Sequence, residues 1–124
     1  MRPPSRTLTP QELEIMKVVW EAGSATVRDV YETLRARRRV AYTTVLTMMN
    51  VLERKGHLRK SAEGRSYRYQ SARPRAQVLK GMVREFLDRV FGGKARPLLV
   101  QLIEDRQLSD EDLRELARRI REGK

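Results

Sequence analysis

The period of the hydrophobic pattern changes twice along this chain of 124 residues. Up to Gly56 apolar residues recur at helical spacing. From Leu58 to Gln70 the pattern becomes strand-like around Glu63-Gly64-Arg65, and after Pro74 helical spacing returns. The two periods are not interchangeable, because each fixes which side chains share a face. The chain is thereby restricted to helices framing one β-hairpin, with Tyr67 and Tyr69 alternating along its second strand.

The helices carry their own boundary signals. Thr9-Pro10-Gln11-Glu12 combines an N-cap, a first-turn proline and a capping box, and Leu8 and Leu13 form the matching hydrophobic staple. Leu13, Ile15, Met16, Val19 and Trp20 then give the apolar side until Gly23 stops the helix. Thr26 with Asp29 starts a second helix, whose face is Val27, Val30, Tyr31 and Leu34. Arg37-Arg38-Arg39 follows it, and Val40 is expected to form a strand of one or two residues. A third helix is expected from about Tyr42 to Lys55, ended by Gly56. The order helix, helix, short strand, helix, hairpin is that of a winged helix. The fold class is therefore mainly α (α+β), with a winged helix-turn-helix in residues 1–73 and a helical region in residues 74–124.

The third helix has an unusual polar side. At 100° per residue, Val45, Met48, Met49 and Leu52 fall on one side and Thr43, Thr47, Asn50 and Arg54 on the other, flanked by Thr44. A solvated helix in so charged a chain would ordinarily show Lys, Glu and Arg there. Short hydroxyl and amide side chains instead suit close approach to base edges: threonine methyls meet thymine methyls, hydroxyls bond bases or phosphates, and asparagine pairs with adenine. The competing account is a run of threonines on a weakly stable helix, since β-branching lowers helix propensity. Tyr42, at the helix start, and Arg39, just before it, belong to the same candidate surface. The Gly64-Arg65 tip, with Arg59, Lys60 and Arg68 beside it, can enter a minor groove or clamp a phosphate, although basic hairpins are common on protein surfaces. Arg37-Arg38-Arg39 reads equally as a phosphate anchor or as cations favoured at a helix C-terminus. Trp20, Met16, Met48 and Met49 read as core, and His57 as a surface or hydrogen-bonded residue.

Charge supports an anionic partner. Lys and Arg number 27 against 16 Asp and Glu, a net charge of +11, and residues 1–73 hold +8 of it. The chain contains no cysteine, one histidine and neither a P-loop nor a dinucleotide fingerprint. No catalytic residue, metal site or cofactor is expected. With no long apolar run and no h-region at the N-terminus, a cytoplasmic protein without membrane insertion is expected.

The C-terminal region has apolar stripes but little bulk. Leu79, Val83, Phe86, Leu87 and Val90 line one helix, Leu99, Leu102 and Ile103 a second that Pro97 opens, and Leu116 and Ile120 a third, capped by Ser109 and Asp112. About fifty residues in three short helices bury too little surface to stand alone, so self-association into a homodimer is expected.

Several of these segments together resemble the BlaI/MecI family of penicillinase repressors. They are Leu8 to Met16 followed by Val19-Trp20, Ala41 to Thr47 with Leu52 to Gly56, Glu63-Gly64-Arg65 before Tyr67-Arg68-Tyr69, and Gln107 to Leu113. The resemblance implies a cytoplasmic bacterial repressor that binds operator palindromes through its winged helix and dimerises through its C-terminal helices. By position, Thr43, Thr44 and Thr47 would face the operator and Arg65 would lie in the wing. Family members induced by proteolysis are cut at an Asn-Phe pair, where this chain has Gln101-Leu102. Copper-responsive relatives carry Cys-x-Cys motifs, which a cysteine-free chain lacks. Two other readings of the same surface stand beside the repressor: a nonspecific nucleoid- or RNA-associated basic protein, and a winged helix that contacts another protein.

Overall fold

The computed structural model describes residues 7–123. Its elements are α1 (Pro10–Ala22), β1 (Ala25–Thr26), α2 (Val27–Arg35), α3 (Tyr42–Arg54), β2 (Leu58–Glu63), β3 (Ser66–Ser71), α4 (Arg75–Phe91), α5 (Ala95–Glu104) and α6 (Asp110–Arg121). They divide into two compact units, Met1–Met82 and Val83–Lys124.

In the first unit, three helices and a small antiparallel sheet enclose one core. Ile15, Met16 and Val19 from α1 pack with Val30 and Leu34 from α2, Val45, Met49 and Leu52 from α3, and Leu58 and Tyr69 from the sheet. The start of α4 joins them through buried Val78, with Met82 packed against the cluster. The sheet order is β1-β3-β2, which puts the aromatic strand in the centre.

The expected strand at Val40 does not form. The short strand is Ala25–Thr26, which pairs with Tyr69 and Arg68 of β3. Thr26 is already extended as the N-cap of α2, at φ −85° and ψ 168°. The same backbone conformation that caps the helix therefore offers an edge to β3, whereas Val40 lies in an irregular segment, half-buried against the core.

Local signals set the helix ends. The Thr9 hydroxyl accepts from the Glu12 amide at 3.1 Å and the Glu12 carboxylate accepts from the Thr9 amide at 2.9 Å. The same reciprocal pair recurs at Thr26 with Asp29 and at Ser109 with Asp112, each cap being worth about 1 kcal/mol. At the far end of α3, Gly56 sits at φ +85°. There the Gly56 amide donates to the Glu53 carbonyl at 3.0 Å and the His57 amide to the Leu52 carbonyl at 2.9 Å. This Schellman arrangement satisfies the last carbonyls of the helix and turns the chain into β2. It also draws His57 inside, where it is only 2% exposed, so of the two places expected for it, at the surface or within a hydrogen-bonded setting, the surface one does not hold.

Glu12 is more than a cap. It is 5% exposed, and the Lys55 ammonium at the end of α3 donates to both its carboxylate oxygens, at 2.8 and 3.0 Å. Burial alone would raise the Glu12 pKa; the bonds from Lys55 and Thr9 outweigh it and hold the carboxyl below its ordinary value of 4.5. A depressed carboxyl pKa contributes stability that is present above the unfolded value and lost as pH falls through the folded one. Glu12→Gln leaves Lys55 without its counter-ion and is expected to cost about 2 kcal/mol at neutral pH. That is less than the 3 to 5 kcal/mol typical of a fully buried pair, because the Lys55 side chain keeps 16% exposure. Urea unfolding checks this, and the gap to the unsubstituted protein should close as pH drops below 4.5.

The second unit contains the later turns of α4 with α5 and α6. Helix α5 begins at Ala95, two residues before the Pro97 expected to open it. Proline is tolerated there because amides of the first turn have no partner within the helix. Neither α5 nor α6 contains a buried residue, and Val83, Phe86, Val90, Leu99, Ile103, Leu116 and Ile120 are all exposed.

Candidate nucleic-acid interface

Helix α3 lies on the core through Val45, Met49 and Leu52 and turns the opposite side outward. Thr43, Thr44, Thr47 and Arg54 are all exposed there, and Tyr42 is 39% exposed at the first turn. Tyr42 is held in place by the Tyr31 ring, edge-on at 5.4 Å, and by the Arg28 guanidinium at 5.8 Å from its centroid.

Asn50 is less available than its place on the helix suggests. It is half-buried, and its side-chain carbonyl accepts from the Tyr69 hydroxyl at 3.4 Å. Burial raises the pKa of that phenol, which keeps it protonated and able to donate. This bond ties the middle of α3 to the central strand.

The wing is a tight hairpin. Glu63 faces Ser66 in register, so its turn is the two residues Gly64-Arg65. Gly64 sits at φ +62° and Arg65 has no positive φ, the arrangement of a type II′ turn, in which glycine takes the first central position. The Arg65 side chain is thereby carried at the tip. Behind it Arg68 is committed to the fold, donating to Glu63 at 2.7 Å, and the Lys60 ammonium lies 4.5 Å from the centroid of the Tyr67 ring.

Arg37-Arg38-Arg39 splits in the same way. Arg38 donates through two guanidinium nitrogens to Glu14, at 2.7 and 3.2 Å, and this bond holds the Glu14 carboxyl below its usual value. Arg39 is exposed. Among the described residues, Arg39, Arg54, Arg59 and Arg65 form no ion pair, so their charge is left for an outside partner.

An open groove of about 380 Å³ separates the start of α3 from the wing, with Tyr42 and Leu46 on one wall, Arg65 and Tyr67 on the other, and Arg28 at the end. The sequence pattern does not single out Leu46, Tyr67 or Arg28. For Leu46 a signal exists: it is apolar yet lies off the Val45-Met49-Leu52 stripe, four residues from Tyr42.

Residues 8–122 match the penicillinase repressor family model. The chain belongs to the penicillinase repressor family. The Bacillus licheniformis penicillinase repressor is 30% identical over 113 residues, 91% of this chain and 88% of that relative. The solution structure of the DNA-binding domain of the repressor BlaI covers 60% of this chain and 92% of its own, at 28% identity and a TM-score of 0.54. That of monomeric B. licheniformis BlaI with the blaP half-operator covers 60% and 89%, at 29% identity and a TM-score of 0.50. The N-terminal unit of this repressor-family chain is thus a winged helix of the BlaI type, and the family is one of regulators rather than enzymes. Among the described residues no helix is long and apolar enough to cross a membrane.

Proposed function

We propose that this penicillinase-repressor relative is a transcriptional repressor that binds a pseudo-palindromic DNA operator as a homodimer. The observation that carries the DNA reading is the exposed hydroxyl side of α3, set beside a wing whose tip arginine forms no ion pair among the described residues. Thr43 and Thr47 read base edges in the major groove, Thr44 and Tyr42 flank them, and Arg39, Arg54 and Arg65 contact phosphates or the adjoining minor groove. Asn50, held by Tyr69, fixes the depth at which α3 sits.

Dimerisation is assigned to the apolar stripe of α4, α5 and α6. So many exposed large apolar side chains in three short helices call for a cover, and a second copy supplies one of the same composition. Two recognition helices would then enter successive major grooves about 34 Å apart. Repression follows by occlusion of the promoter. Release by a regulatory protease would need a cut other than Asn-Phe: Gln101 lies inside α5, its side-chain amide donating to the Asp105 carboxylate at 3.2 Å.

The test is Thr47→Ala on a duplex recovered by selection from a random pool. Affinity for that duplex is expected to fall by about tenfold, near the lower end of the 1 to 3 kcal/mol assigned to a base contact, while binding to random duplex is unchanged. Equal loss on both would return the threonines to mere helix surface. No duplex binding at low salt would favour the reading in which the hydroxyl side contacts another protein.

A further inference from the structure

We propose that Leu46 is a specificity-determining residue that reads thymine by its 5-methyl group. The proposal rests on the DNA reading above and deepens it.

Leu46 is 38% exposed on a helix whose outward side is otherwise hydroxyl, amide or cation. Helical spacing puts Tyr42 one turn before it and Asn50 one turn after, so it stands between the Thr43-Thr47 midline and the wing. The groove beside it is walled by Tyr42 and Tyr67, also exposed, at 39% and 48%. An isobutyl side chain offers base edges no donor or acceptor. In the major groove the one apolar group of a base pair that projects from the edge is the thymine methyl; cytosine presents only a C5–H at that place, beside an amino group that, like the other polar edge atoms, Leu46 would strip of water without replacing its hydrogen bond. A leucine on this surface therefore attracts a thymine methyl and penalises G·C pairs at the position it covers. The tyrosine walls extend the apolar surface on which that methyl can rest, and Asn50, anchored to Tyr69, holds the helix at constant depth beneath it.

The experiment uses the full chain and a selected duplex synthesised with thymine or with deoxyuridine in its place. Uracil keeps every hydrogen-bonding atom and lacks only the methyl. For the unsubstituted protein, replacement in one half-site is expected to weaken binding about fourfold, the worth of one buried methyl, and in both half-sites about fifteenfold. Leu46→Ala, which should fold normally given its exposure, is expected to bind the thymine duplex more weakly and to lose most of the uracil effect. Leu46→Gln should lose the uracil effect as well and shift the selected sequence away from thymine. If both duplexes bind equally well to the unsubstituted protein, or if Leu46→Ala keeps the full uracil penalty, the assignment to Leu46 is wrong while the DNA reading stands. Failure of every duplex to bind would overturn both.

Discussion

Raising salt from roughly 50 to 200 mM is expected to weaken duplex binding by about 10³ to 10⁵, the response of a protein that neutralises roughly six to ten phosphates. The charge inventory supports this size. Of the net +11, much is concentrated in residues 1–73, but net charge overstates what is free. Arg38 is consumed by Glu14, Arg68 by Glu63 and Lys55 by Glu12. Around α3 and the wing, Arg39, Arg54, Arg59 and Arg65 are the cations that form no ion pair among the described residues, and two protomers of the proposed dimer double that number into the range the slope requires. Fluorescence anisotropy at a series of salt concentrations gives the slope directly. If Arg65 meets a phosphate, as one of its two proposed roles has it, Arg65→Ala should flatten the slope by about one unit per protomer. A flat response in the unsubstituted protein would mean that the basic surface does not meet DNA.

The second large effect concerns assembly. If the proposed homodimer forms through this surface, Phe86→Asp combined with Leu99→Asp is expected to leave a monomer and to lower affinity for a full palindrome by about 10² to 10⁴, because the second half-site is then no longer bound as part of one molecule. Both side chains are exposed in the single chain, at 39% and 42%, so the fold of each protomer should survive. Phe86 does lose its edge contact with Phe91, at 5.8 Å, a cost of about 1 kcal/mol. Analytical ultracentrifugation reads the mass. Affinity for an isolated half-site is the control and should be nearly unchanged. An unaltered dimer would refute the assignment of this surface.

Much of the fold was legible because its signals are local. The three capping boxes and the switch from helical to strand period depend on neighbours within a few positions, and all were readable at Thr9, Thr26, Ser109 and Gly64. What escaped was decided by distant partners. The short strand fell at Ala25–Thr26 rather than Val40, because β3 needs an edge partner and the extended N-cap residue already lies there. His57 is an exception, since the Schellman turn at Gly56 that folds it inward is itself local. The candidate site behaved similarly. Thr43, Thr44, Thr47 and Arg54 follow from helical periodicity alone, whereas the engagement of Asn50 by Tyr69 and of Arg38 by Glu14 spans 19 and 24 residues of sequence. Leu46 was passed over for another reason: an apolar residue on a helix is assigned to the core by default, although its place off the Val45-Met49-Leu52 stripe is readable from the sequence and agrees with its 38% exposure.

The central claim is that α3 and the wing discriminate between sequences rather than merely attract phosphate. Competition between a selected palindromic duplex and a random duplex of equal length, at one near-physiological salt concentration, tests it most directly. A repressor of this kind should prefer the selected duplex by at least about 10³. Equal competition by the two would contradict the account and leave a nonspecific basic protein.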